Sequence, residues 1–176
     1  MNTIQKSRSI TKQSNVVVLR MISGIRRSFT ALIATTFIAG ASAISPFPYS
    51  LGVRDSLMIA HSFHGHPSFG PAGGMHGATY TCDVEFLTNK LHPETNWVID
   101  IGKASDIVSE VLKKYDLKNL DEVFGENVMT TTEFMSRQIH DEIKSRLKAE
   151  CGDFDGVVCV KLYESHKAWA TYTGPR

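Results

Sequence analysis

At 176 residues with 42% hydrophobic content, the chain carries enough apolar material for one domain plus an extension. The net charge of +1 conceals a split: residues 1–54 hold seven Lys/Arg and no acid, and residues 55–176 hold 12 Lys/Arg against 18 Asp/Glu. An acidic body argues against nucleic acid as the main partner, and three cysteines without CxxC spacing do not make a disulfide framework.

Residues 1–50 read as a targeting segment or disordered leader. They are acid-free and rich in Ser and Thr, and Arg26-Arg27 precedes an apolar stretch from Ala31 to Ala43. That stretch ends in Ala41-Ser42-Ala43, the small-x-small pattern of signal-peptide cleavage. The same composition fits an organelle transit peptide, and Met21 is an alternative start. The run is too short and too threonine-rich for a transmembrane helix, so no stable membrane insertion is expected.

The body, residues 51–176, is expected to be a single domain. Residues 53–63 read as a strand and 76–87 as a second, with Ser62 to Met75 a Gly/Pro-rich loop between them. In the second strand the alternation is strict: His76, Ala78, Tyr80, Cys82, Val84 and Phe86 share the apolar face, Thr79, Thr81, Asp83 and Glu85 the other. Cys82 and Cys159 are expected to be buried thiols. Trp97 to Ile101 reads as a short third strand. A helix follows, with Ala104, Ile107, Val108, Val111, Leu112 and Tyr115 on one stripe. Leu117 to Met129 reads as loop. A second helix starts at Thr130, with Thr130 and Glu133 at capping-box spacing, and carries Phe134, Met135, Ile139, Ile143 and Leu147 inward. Strands over 157–163 and 168–173 close the chain. Runs of strands around a helix pair, without βαβ alternation, indicate an α+β fold: an antiparallel sheet with two helices on one face.

Four of the seven histidines, His61, His64, His66 and His76, fall within sixteen residues. His76 points to the apolar side, where an imidazole has to be hydrogen-bonded or metal-bound. Two strand-borne histidines can meet across a hairpin, and neutral imidazole is a zinc ligand. The spacing alone leaves the third ligand open, and each of these histidines also reads as a hydrogen-bonded structural residue.

At this point the residues resemble the 6-pyruvoyl-tetrahydropterin synthase and 6-carboxytetrahydropterin synthase family, over roughly Leu57 to Tyr172. Ile59-Ala60-His61 is similar to its first-strand histidine motif, and Met75-His76-Gly77-Ala78-Thr79-Tyr80 to its His-Gly-His motif. Val98 to Gly102 resembles its strand-to-helix junction, Asp116-Leu117-Lys118-Asn119-Leu120 its Asp-His-x-x-Leu segment, and Thr131-Thr132-Glu133 its helix start. Leu162-Tyr163-Glu164-Ser165 with Trp169 to Tyr172 resembles its closing hairpin.

The resemblance implies a tunnelling fold assembling into an oligomeric barrel, a trimer or hexamer, with active sites at subunit interfaces. It implies Zn2+ on three histidines, with His61 and His76 as two of them. It implies a pterin substrate, dihydroneopterin triphosphate or a relative, held by Glu164 with Thr132 and Glu133. A carboxylate suits the 2-amino-pyrimidinone edge because it accepts two N–H bonds. Three positions depart from the pattern. The third zinc histidine falls at Ala78, the catalytic cysteine at Ala72 or Gly70, and the catalytic histidine at Leu117, which leaves Asp116. His64 or His66 is the replacement expected to complete the metal site or act as general base, and His166 is another. Two functions follow: a zinc-dependent lyase of altered chemistry, or a non-catalytic pterin-binding or scaffold protein of the same fold.

Overall fold

The computed structural model describes residues 46–175; the leader reading falls on residues 1–45, outside them, apart from its last five residues. A long hairpin is the backbone of the structure. Strand β1, Tyr49–His61, runs antiparallel to β2, His76–Thr88, in unbroken register from Tyr49 opposite Thr88 to His61 opposite His76. Tyr49 and Ser50, read above as leader, therefore belong to the first strand. The period-2 pattern of β2 is realised: Tyr80, Cys82, Val84 and Phe86 are each 0% exposed, while Thr79 and Glu85 face solvent.

Strand β4, Val157–Tyr163, pairs with β2, and β5, Trp169–Tyr172, pairs with β4, both antiparallel. The two helices that cover the apolar face are α1, Ile101–Leu112, and α3, Thr132–Cys151. Their stripes are those read from the periodicity. Ile107, Val108, Val111 and Leu112 of α1 and Met135, Ile139, Ile143 and Leu147 of α3 are all buried against Leu57, Ile59, Phe86 and Leu162 of the sheet. Glu142 ties the helices together by accepting from Lys114, Tyr115 and Gln138. Burial works to raise its pKa, yet the three donors outweigh it and hold the carboxyl below its ordinary value.

The structure corrects the sequence reading in three places. Trp97 to Ile101 forms no strand; Asp100 caps α1 by accepting from the amides of Gly102 and Lys103 at 2.8 and 3.1 Å, and Ile101 is already helical. The stretch read as loop after Leu117 contains β3, Lys118–Asn119, and a short helix α2, Leu120–Phe124, capped by Asn119. β3 lies parallel to β1 at Ile59 and Ala60, so the sheet is mixed, in the order β3-β1-β2-β4-β5. Thr131, not Thr130, is the N-cap of α3, its hydroxyl accepting from the Phe134 amide.

The three cysteines are free: Cys82 is buried, Cys159 half-buried and Cys151 exposed. No helix among the described residues is long and apolar enough to cross a membrane.

Candidate functional site

The register sets the site. His61 and His76 are direct partners across the last rung of the hairpin, with ring centroids 4.5 Å apart. His61 is 0% exposed; its Nδ1 lies 3.0 Å from the Thr130 carbonyl and 3.1 Å from the Thr130 hydroxyl. A carbonyl can only accept, so Nδ1 carries the proton and Nε2 the lone pair. The same argument applies to His76, whose Nδ1 lies 2.9 Å from the Gly74 carbonyl. Burial first, and the neighbouring His76 second, lower the His61 pKa and keep the ring neutral.

Glu164, just past the end of β4, completes the group. One ligand atom from each of His61, His76 and Glu164 lies within 4.8 Å of the others. Thr132 Oγ1 donates to Glu164 Oε2 at 2.7 Å. The three consecutive threonines thus have three separate tasks. Thr130 orients His61, Thr131 caps α3, and Thr132 holds Glu164. Phe63 covers the pair of imidazoles, 5.0 Å from the His61 ring and 5.9 Å from His76, and stacks at 4.0 Å on Phe69. The backbone between them turns through His64 at φ 51° and Gly65 at φ 68°. Two successive left-handed residues are a turn that glycine relieves at one position only.

His64 and His66, expected to supply a ligand or a base, are not part of this cluster. His66 caps the 3-10 turn Pro67–Gly73, its Nδ1 accepting from the Ser68 amide at 3.3 Å. His64 is exposed, with Nδ1 3.4 Å from Ser62 Oγ and Nε2 3.5 Å from the Val128 carbonyl. Ser62 itself is pinned by Asp121, donating its hydroxyl at 2.6 Å and its amide at 3.1 Å. Burial opposes ionisation of Asp121, but these two donors and the nearby His64 and His61 hold its pKa below the ordinary value.

Asp116 lies apart from the cluster. Its Oδ1 accepts from the Met58 amide at 2.8 Å, which ties the end of α1 to the edge of β1. Leu117, 73% exposed at φ 57°, follows it. Glu133 is exposed in the first turn of α3. His166 lines a depression on the outer sheet face with Arg54, Thr79, Thr81 and Tyr163. Ala78 pairs with Ile59 one rung in from the histidines and offers no ligand atom. Thr130, Ser62 and Asp121 were missed by the sequence reading. Their partners lie between 59 and 69 residues away along the chain, and only the Ser-adjacent-to-His pairing carried any local signal.

The residues present fit zinc. Two imidazoles and a carboxylate form a donor set known in catalytic zinc sites, which keep a further position open. The buried Nε2 of His61 has no hydrogen-bond partner among the described residues, as a nitrogen reserved for a metal should be.

A family model described as 6-pyruvoyl tetrahydropterin synthase matches residues 50–175. The chain belongs to the 6-pyruvoyl tetrahydropterin synthase family. Solved structures of that family share its fold. The enzyme of Caenorhabditis elegans is 24% identical with a TM-score of 0.62, over 72% of this chain and 96% of that one. Those of Plasmodium vivax and Plasmodium falciparum are 18% and 16% identical with TM-scores of 0.55 and 0.54, each over 72% of this chain and 97% of theirs. No curated protein sequence matches the chain. The third member of the described cluster is a carboxylate, Glu164, while Ala78 offers no ligand atom.

Proposed function

We propose that this protein is a zinc-dependent, tetrahydropterin synthase-like lyase acting on a pterin such as dihydroneopterin triphosphate, with a metal site rebuilt from His61, His76 and Glu164. The observation that carries the reading is the convergence of one ligand atom from each of His61, His76 and Glu164 within 4.8 Å, with the Nδ1 of each imidazole set against a backbone carbonyl. Bound there, zinc supplies Lewis acidity toward substrate oxygens. The chain's own residues do the rest. Thr130 and Gly74 fix the rings, Thr132 orients Glu164, and Phe63 excludes water from the imidazoles. Glu133 and Thr132 at the start of α3 are the residues this reading assigns to the pterin ring once Glu164 is engaged. His64, set against the Asp121-pinned Ser62, takes the role of proton acceptor in place of a histidine at Leu117.

Assembly is part of the proposal. The outer sheet face carries exposed Met58 and Trp169, and burying it in a homo-oligomeric barrel removes two large apolar side chains from water. A trimer or hexamer is expected by light scattering.

A second reading, pterin binding without turnover, is favoured by one observation: Ala72, Gly70 and Leu117 bring no acid, base or nucleophile to the places where the family pattern has them. The experiment that tests both combines zinc analysis with turnover of dihydroneopterin triphosphate. One zinc per chain with product formed supports the lyase, and zinc and pterin binding without product supports the binding protein. No zinc in the purified protein overturns the metal site.

A further inference from the structure

The face of the sheet that carries no helix holds a second collection of polar groups, and the register places them. Arg54, Asp83 and Lys161 stand side by side on three neighbouring strands, and Thr81 and Tyr163 share the next rung toward the His61–His76 end. Beside them lies a depression of about 340 Å³ lined by Arg54, Thr79, Thr81, Tyr163, Ser165 and His166. That is the lower end of the range for small-ligand sites and more than a single ion needs. One carboxylate shared between two cations sets the local charge. Asp83 accepts from Arg54 Nε and Nη2 at 2.5 and 2.7 Å, and Lys161 is its register partner on the other side. Arg54 first, then Tyr163 and Lys161, hold the Asp83 carboxyl below its ordinary value against its partial burial. Asp83 therefore stays ionised, and the trio keeps one positive charge in surplus. Glu85 stands one rung further out, beyond Asp83, and does not line the depression.

The donors around the hollow are largely unspent. Arg54 uses two of its five N–H groups on Asp83. The Ser165 hydroxyl accepts from the Lys167 amide at 3.2 Å and still has its own proton to give. The hydroxyls of Thr79 and Thr81 have no hydrogen-bond partner among the described residues. We propose that this depression binds a phosphoryl group, with Thr79, Thr81 and Ser165 donating hydroxyl protons, Arg54 and His166 donating N–H, and Lys161 adding charge. Donors that arrive from β1, β2 and the β4–β5 turn suit the several directions of a tetrahedral oxyanion. The room left over fits the small body of a phosphate ester against Tyr163. Lys161 is held in place by the Tyr163 and Trp169 rings, with its Nζ 4.9 and 4.6 Å from their centroids. The site lies on the opposite face of the sheet from His61 and does not rest on the metal reading. In the barrel proposed above the depression opens inward, so the full assembled chain is the material to test.

The test is isothermal titration of that protein with orthophosphate and with ribose 5-phosphate, in chelator to keep metal off the histidines. Binding on the order of 1 mM or tighter is expected, weakening as salt rises. Tighter binding of ribose 5-phosphate assigns the site to an ester, and equal affinities assign it to the free anion. Thr81→Val removes a donor at nearly constant shape and should weaken binding about tenfold. Thr81→Ser keeps a hydroxyl and should stay within about threefold of wild type. His61→Ala should bind phosphate as wild type does, which separates this site from the metal cluster. No binding by folded wild-type protein overturns the proposal, as does unchanged affinity in both Thr81→Val and His166→Ala. Loss of phosphate binding in His61→Ala overturns it too, by moving the anion to the cluster. Protein that takes up no zinc removes the metal reading and leaves this one standing.

Discussion

The two ends of the β1–β2 hairpin are built from one ladder and one register, yet they treat buried polar groups in opposite ways. At the far end Thr88 is buried, and its hydroxyl lies within 3.1 Å of the carbonyls of Lys90 and Asp155 while accepting from the Lys90 amide at 3.3 Å. That hydroxyl both donates and accepts, and it closes the turn. At the near end His61 Nε2 and Tyr80 Oη are buried and unpaired. Native proteins tolerate few such atoms, so two within one ring contact of each other mark the end of the hairpin that works on something else. A third unpaired atom, His140 Nε2, has no such company. His140 packs edge-on against Tyr172 at 4.9 Å, its Nδ1 2.8 Å from Asp141, and it belongs to no ligating group among the described residues.

Substitutions can break or sharpen this contrast. The largest effect is expected from His61→Ala or His76→Ala, each of which should lower zinc affinity by about two orders of magnitude or more in a chelator titration, with little loss for an equivalent change at His66. Next comes the far end. Thr88→Val is nearly isosteric but strands satisfied groups, and should destabilise by about 1–2 kcal/mol in urea unfolding. A third prediction concerns acid. The folded pKa of Glu142 lies below its ordinary 4.5. Its contribution is therefore present above that value and lost as pH falls through the folded pKa. Stability should decline below about pH 4.5, and Glu142→Gln should flatten that decline. The smallest effect is at the surface: Arg54 is bidentate to Asp83 but solvated, and Arg54→Ala should move Tm by about 2 °C or less. Thiol labelling offers a check on burial itself. Burial pushes the Cys82 thiol up to about 12, so iodoacetamide should modify Cys151 and leave Cys82 untouched in the folded protein.

The sequence made these ends legible to different depths. The strict alternation of β2 and the helical stripes of α1 and α3 are periodic signals, and the core they specify is the one observed. Trp97 to Ile101 misled because four apolar residues around an aspartate are too few to separate a strand from a helix start, and the Asp100 cap decided it. The pairing of His61 with His76 was readable from two strands and a loop. The role of Glu164 in that cluster was not, because the resemblance assigned it to the pterin ring. Tyr80 and Thr130 were hidden more deeply: one reads as core and the other as a cap, and only contacts across the fold reveal what their polar atoms face.

The thirteen-residue β1 has one further consequence. β3 pairs with it only at Ile59 and Ala60, and Asp116 and Leu117 occupy the backbone groups of Met58, so from Tyr49 to Leu57 no described strand lies along its outer edge. An open edge of that length invites intermolecular pairing whenever the chain is concentrated before it has folded. Arg54 and Asp55, charged and placed midway along it, are the residues that discourage such pairing. Refolding yield should therefore fall as protein concentration rises, and fall faster once that charged dipeptide is replaced by valines.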